Sequence, residues 1–351
     1  MTMRIRVIAT LALAAMAGAS VFAQTPKYTD HQKQVIDAVM NVYEEELAKN
    51  PEDYAVLYSR ANQYFLMNDY NKALQDVNQA LKCTTRKDKE TLTDEYVLRA
   101  KIYNVVGNRK DELIDLQEAY RLNPQSEAIR MALADSYLAN DDCEAAEKLY
   151  LQLYRANNLN YAVMAGLAKV EVKKRNFGSA AEYVDKAVKL FPAEAEVYIN
   201  RADVLIMMEQ YEPAAQDLIS ALSVSGDSGA ALKRLTKLAD TQYDAVVAAL
   251  GNSIKKAPNV GMFYYIRSSI EMAHSRYSDA LQDLEAIIKG KMYDYHSIYY
   301  DAAVCAYKLG RHDEALEYVN KAIETNPSDE YKATKKEIIR AKQITRNCST
   351  E

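Results

Sequence analysis

Small and large apolar positions recur along the chain at a fixed interval of 34 residues. The segments Lys49-Asn50-Pro51-Glu52, Leu122-Asn123-Pro124-Gln125 and Thr325-Asn326-Pro327-Ser328 close helical patterns in the same way. With that proline, or its stand-in, at place 32, the units are 54–87, 93–126, 127–160, 161–194, 195–228, a degenerate 227–260, 261–294 and 296–329. A five-residue insertion, 88–92, separates the first two. Place 8 is then Ala61, Ala100, Ala134, Ala168, Ala202, Ser268 and Ala303. Place 20 is Ala73, Glu112, Ala146, Ala180, Ala214, Ala280 and Ala315, and place 27 is mostly alanine. Turn-forming residues stand at place 15: Asn68, Gly107, Asp141, Ser275 and Gly310. Each unit therefore reads as two antiparallel helices whose backbones approach at the small residues. Large apolar side chains at places 4, 11 and 24 fill the space around them. One such pair cannot bury its own apolar face, so neighbours must stack.

Composition agrees with an all-helical chain. Only 10 Gly and 7 Pro punctuate 351 residues, fewer than a protein of many strands and tight turns needs. Charged residues are 26 % and the net charge is −5, an acidic balance that gives no footprint for nucleic acid. The first residues differ from the rest. Arg4 and Arg6 precede an apolar run from Val7 to Ala17 and a small-residue site at Val21-Phe22-Ala23. That is the pattern of a secretory signal cut before Gln24, with a signal anchor as the other reading. An exported protein, periplasmic or secreted, is the expectation, with no integral membrane segment after cleavage. Cys83, Cys143, Cys305 and Cys348 match no metal spacing, and only Cys305 with Cys348 is a disulfide candidate.

The small residues at places 8, 20 and 27, the aromatics at 11 and 17 (Tyr70, Phe177, Tyr211, Tyr277) and the proline at 32 resemble the tetratricopeptide repeat family. The resemblance covers residues 54–329. It implies an all-α, right-handed α-solenoid whose first helices line a concave surface at places 2, 5, 9 and 12. The expected organisation is a signal peptide over 1–23, a capping helix within 24–53, a five-unit stack over 54–228, a degenerate unit at 229–260 with a possible hinge, a two-unit stack over 261–329, and a closing helix and tail over 330–351. The degenerate unit has Arg234 at place 8 and Val246 at place 20, so its first helix must be short or shifted. Cochaperone members of the family hold a terminal carboxylate with Lys and Asn at places 5 and 9. Place 5 here is Tyr58, Val97, Met131, Ala165 and Ile199, and only Asn62 fits that clamp.

Arginine stands at place 7 in four units, and in those same four place 23 is aspartate. The pairs are Arg60 with Asp76, Arg99 with Asp115, Arg201 with Asp217, and Arg267 with Asp283. Both places lie eight residues from the turn, so the hairpin brings them level, and structural ion pairs are expected. On the groove side, place 9 alternates in sign, which predicts Lys101–Asp135 and Lys169–Asp203 pairs between neighbours. Candidate groove contacts for a partner are Tyr58, Asn62, Phe65, Tyr265, Met272, Tyr300 and Tyr307, since tyrosine joins a flat apolar body to a hydroxyl.

No nucleophile turn, phosphate-cradling glycine loop or spaced metal motif occurs around His31, His274, His296 or His312. No catalysis, metal or cofactor is expected. Two function classes follow. One is a protein-interaction scaffold in the cell envelope that holds a peptide or partner protein. The other is a carbohydrate-binding component of a glycan-uptake system, a role in which the family's helix pairs also occur.

Overall fold

The computed structural model describes residues 30–83, 89–225, 229–293 and 295–348, and all eighteen elements among them are α-helices. The proposed signal over 1–23 lies outside the described residues. Packing divides the chain into two units, Met1–Ala187 and Val188–Glu351.

In the first unit, α1 (Asp30–Lys49) precedes the hairpins α2 (Tyr54–Leu66) with α3 (Tyr70–Lys82), α4 (Lys89–Val106) with α5 (Arg109–Leu122), and α6 (Glu127–Ala139) with α7 (Cys143–Ala156). They are followed by α8 (Tyr161–Lys173) and α9 (Phe177–Leu190), in which the division falls. The insertion lengthens the first helix of its repeat, so α4 has 18 residues where α2 and α6 have 13. Helix starts are fixed locally. Asp53, Asp69, Asn108, Ser126, Asp142 and Asn160 each accept a backbone N–H of the helix that follows.

The second unit contains α10 (Ala195–Met207), α11 (Tyr211–Val224), α12 (Gly229–Ala239), α13 (Tyr243–Lys256), α14 (Gly261–Ala273), α15 (Tyr277–Gly290), α16 (His296–Lys308), α17 (His312–Thr325) and α18 (Asp329–Cys348). The first helix of the degenerate repeat, α12, is 11 residues long, and α13 packs against α11 as well as α12. Arg234, at the place where other repeats carry a small residue, reaches back to Asp203 with Nε–Oδ1 at 3.0 Å. The closing helix α18 docks through Tyr331 and fully buried Ile338.

The seam of each hairpin is made of the small residues. Alanines at places 8 and 20 are at most 2 % exposed throughout. The intervening turn is sharper than a helix end alone requires. Place 15 is left-handed in all seven regular repeats: Asn68, Gly107, Asp141, Arg175, Glu209, Ser275 and Gly310 have φ between 59° and 79°. Glycine, asparagine and aspartate tolerate that region, whereas Arg175 and Glu209 adopt it against their own preference.

In four of the seven regular repeats an Arg–Asp pair also joins the two helices of the hairpin. Arg60, Arg99, Arg201 and Arg267 each give Nε and Nη2 to both carboxylate oxygens of Asp76, Asp115, Asp217 and Asp283, at 2.6 to 2.8 Å. The aspartates are buried while the arginines keep 20–25 % of their side chains exposed. Arg99 also lies over the rings of Tyr96 and Tyr103 and donates Nη1 to Asn78 of the preceding repeat at 2.7 Å.

Candidate functional site

In the first unit the first helices α2, α4 and α6 stand side by side and leave a pocket of about 350 Å³. Five residues at its wall occupy places 5, 9 and 12: Phe65 of α2, Val97, Lys101 and Asn104 of α4, and Asp135 of α6. Glu112 and Leu116 of α5 also line it. Val105 at the same site is 50 % exposed and Val106 beside it 47 %. Six of the ten lining residues are apolar and four, Lys101, Asn104, Glu112 and Asp135, are polar or charged.

The polar groups have specific partners. Asn104 Nδ2 donates to Glu112 Oε1 at 2.9 Å, while Glu112 Oε2 is buried with no hydrogen-bond partner. Burial pushes the Glu112 carboxyl up, against the hydrogen bond from Asn104 and the charge of Arg109. The expected Lys101–Asp135 pair is not formed among the described residues. Asp135 instead accepts the Tyr150 hydroxyl at 2.5 Å. Tyr150 comes from place 24 of its repeat and is fully buried. It reaches Asp135 because the next repeat carries Gly166, where a Cβ would stand 2.3 Å from the ring. Desolvation raises Asp135, offset in part by that hydroxyl and by the charge of Lys169.

The candidate groove residues fall into two groups. Phe65 lines the pocket, and Tyr58 packs beside it against Ala61, Leu98 and Ile102. Burial, with Asp94 and Glu95 nearby, pushes Tyr58 up to about 12. Asn62 is partly exposed on the same helix. In the second unit Tyr265, Met272, Tyr300 and Tyr307 pack against the core around Leu284 and Cys305. The ring of Tyr300 stacks on Tyr331 of α18 at 4.3 Å, and its hydroxyl lies 3.1 Å from Thr334. One face of that ring is thus already taken by the chain itself. Glu112, Asn104 and Tyr150 were not among the candidates. For Glu112 the signal was present, since it replaces the alanine of every other regular repeat at place 20.

Three histidines lie against neighbouring side chains. His296 Nδ1 lies 2.8 Å from the Tyr331 hydroxyl, the His274 ring lies tilted against Tyr243 at 4.8 Å, and His312 meets Thr345. The side chain of His31 lies outside the described residues. Among the described residues no three His, Cys, Asp or Glu side chains converge as metal ligands. Cys83, Cys143 and Cys305 are free thiols, and burial pushes Cys305 up to about 12. The side chain of Cys348, its proposed bridging partner, lies outside the described residues. No described helix is long and apolar enough to cross a membrane.

A sequence profile of the family described as Tetratricopeptide repeat matches residues 131–195, 165–230 and 267–330. Among curated proteins, the chain is 25 % identical over 172 residues to the DnaJ homolog subfamily C member 7 homolog of Schizosaccharomyces pombe, covering 48 % of this chain and 30 % of that one. It is 24 % identical over 173 residues to Hsp70-Hsp90 organizing protein 3 of Arabidopsis thaliana, covering 47 % and 30 %. The chain spans about a third of the length of such relatives. Among solved structures, yeast Tom70 aligns with 97 % of this chain and 70 % of its own, at 15 % identity and a TM-score of 0.47.

Proposed function

From a chain that carries tetratricopeptide repeats over residues 131–230 and 267–330, we propose a non-enzymatic protein-interaction module that holds a peptide or partner segment on its first-helix face. Proteins with such repeats bind other proteins, as the name of the organizing relative also says of that protein. The observation that carries the reading here is the pocket between α2, α4 and α6. It is built from the places that stacked repeats leave to solvent, and exposed Val105 adjoins it. The carboxylate clamp of cochaperones is not part of the proposal, because place 5 holds no lysine in the first five repeats.

The leader over 1–23 supports export, and we place the module in the cell envelope. The glycan reading is less well supported, since Tyr300 already stacks on Tyr331 and Tyr265 is half-buried. The test is a pull-down from envelope extract with the chain beginning at Gln24, in parallel with Val105→Asp. A partner recovered by the parent and lost with Val105→Asp supports the reading. A partner held equally by both removes function from this face. Fractionation with N-terminal sequencing tests location, with release from the envelope and a terminus at Gln24 expected.

A further inference from the structure

We propose that the pocket between α2, α4, α5 and α6 receives an arginine side chain of a bound partner segment, its guanidinium seated on the Glu112 carboxylate. The proposal rests on the peptide-holding reading above and names the side chain that this face takes.

Place 20 is alanine in six of the seven regular repeats, where it lets two helices close on one another. Only this regular repeat puts a carboxylate at place 20, where Glu112 is 6 % exposed. Only one of its oxygens is served. Asn104 donates to Oε1 at 2.9 Å, and Oε2, on a side chain that lines the pocket, is covered and takes no hydrogen bond from the protein. A buried carboxylate oxygen without a donor is costly, and a structure keeps it only when something else is gained. The side chain that serves Oε1, Asn104, belongs to an exposed residue at the pocket wall and can turn into water.

The guest is defined by what this carboxylate lacks. A guanidinium presents parallel N–H groups in a rigid fork, so it can replace the single donor of Asn104 and supply the missing second one. A lysine ammonium is a point charge and does not match both oxygens in the same way. The pocket, at about 350 Å³, has room for a long side chain, and Phe65, Val97 and Val105 offer apolar wall to its methylenes. Asp135 adds a second negative group in the same pocket. Lys101 carries the guest's own sign, but it is exposed, makes no ion pair with a described residue, and has a stem long enough to point outward.

The experiment titrates the full chain, with alanine methyls labelled, with acetyl-arginine N-methylamide and follows the Ala100 and Ala132 resonances. The lysine and citrulline analogues serve as comparisons. Saturable shifts are expected for arginine, weaker binding for lysine, and about tenfold weaker binding or none for neutral citrulline. Glu112→Gln should weaken arginine binding about tenfold. Glu112→Ala should abolish it, and this variant keeps the fold because alanine occupies the place in the other regular repeats. Equal binding of citrulline, an unchanged titration in Glu112→Ala, or no saturable shift overturns the proposal. Random peptides displayed against the full chain separate the two readings. Binders indifferent to Glu112→Ala leave the peptide-holding face standing and overturn the arginine site. A selection without binders overturns the peptide-holding face, and the arginine titration then decides the site alone.

Discussion

The consequences of burial are sharpest where one charge is deeper than its partner. Asp76 is nearly covered while Arg60 keeps a fifth of its side chain in water. Arg60→Leu strands a carboxylate and should cost close to the lower end of roughly 3–5 kcal/mol. Asp76→Ala leaves an arginine that can extend to solvent, and should cost about 1 kcal/mol. Urea midpoints of the two variants check the order, and equal losses would sink the account. Arg267 faces a harder problem. It holds Asp283 with both nitrogens, yet buried Glu271 also approaches it at 3.9 Å with Oε2 unpartnered. Burial first, then Asp283, pushes Glu271 up to about 7 against the pull of Arg267, with Asp279 raising and Arg276 lowering it further. The folded state keeps this proton to about pH 7, whereas the unfolded chain releases it near the ordinary glutamate value. Folded protein thus binds more protons between those values, and stability falls as pH rises through that window. Glu271→Gln should match the parent at pH 5 and exceed it by roughly 1–3 kcal/mol at pH 8. A difference that does not grow with pH would count against it.

At the scale of the helix hairpin, the seam and the turn do separate jobs. The seam residues were legible because alanine at two fixed places has one simple use, close approach of backbones. The turn was legible only where its residue advertised itself. Asn68, Gly107, Asp141, Ser275 and Gly310 are turn formers, but Arg175 and Glu209 take the same left-handed φ with no such preference. The demand there comes from closing the hairpin, and sequence patterns report preferences rather than demands. Glu209→Gly should therefore stabilise the protein by about 0.5–1 kcal/mol, strain relief outweighing the added freedom of the unfolded chain. A lower melting temperature for that variant would refute the strain. The Tyr150–Asp135 contact was illegible for a different reason. It depends on a missing Cβ at Gly166 in another repeat, a three-residue coincidence that no periodicity encodes. The expected Lys101–Asp135 pair failed on that coincidence.

At the scale of the whole molecule, the all-helical repeat architecture could be read from the 34-residue interval, whereas the pocket could not. Its lining mixes places 5, 9 and 12 of three repeats with an acid at a place normally closed by alanine, and only packing shows that these meet. The end helices Asp30–Lys49 and Asp329–Cys348 were legible as helices, the second because a markedly more polar stretch follows the last repeat. That α18 would use Tyr331 to cover Tyr300 was not, since a stacked pair depends on register between two helices rather than on either alone.

The uniform left-handed turn at place 15 and the alanine seam mean that every regular repeat offers its successor much the same surface. A gene encoding such a chain can lengthen or shorten without inventing new interfaces, provided it does so in whole steps. Excision of 127–160 would bring the edge of one repeat against the edge of the next but one, with the seam inside each remaining hairpin untouched. Excision of half that length would set a first helix where a second belongs. The five-residue insertion at 88–92 escapes this arithmetic because it falls between repeats, where α4 absorbs part of it as extra helical length.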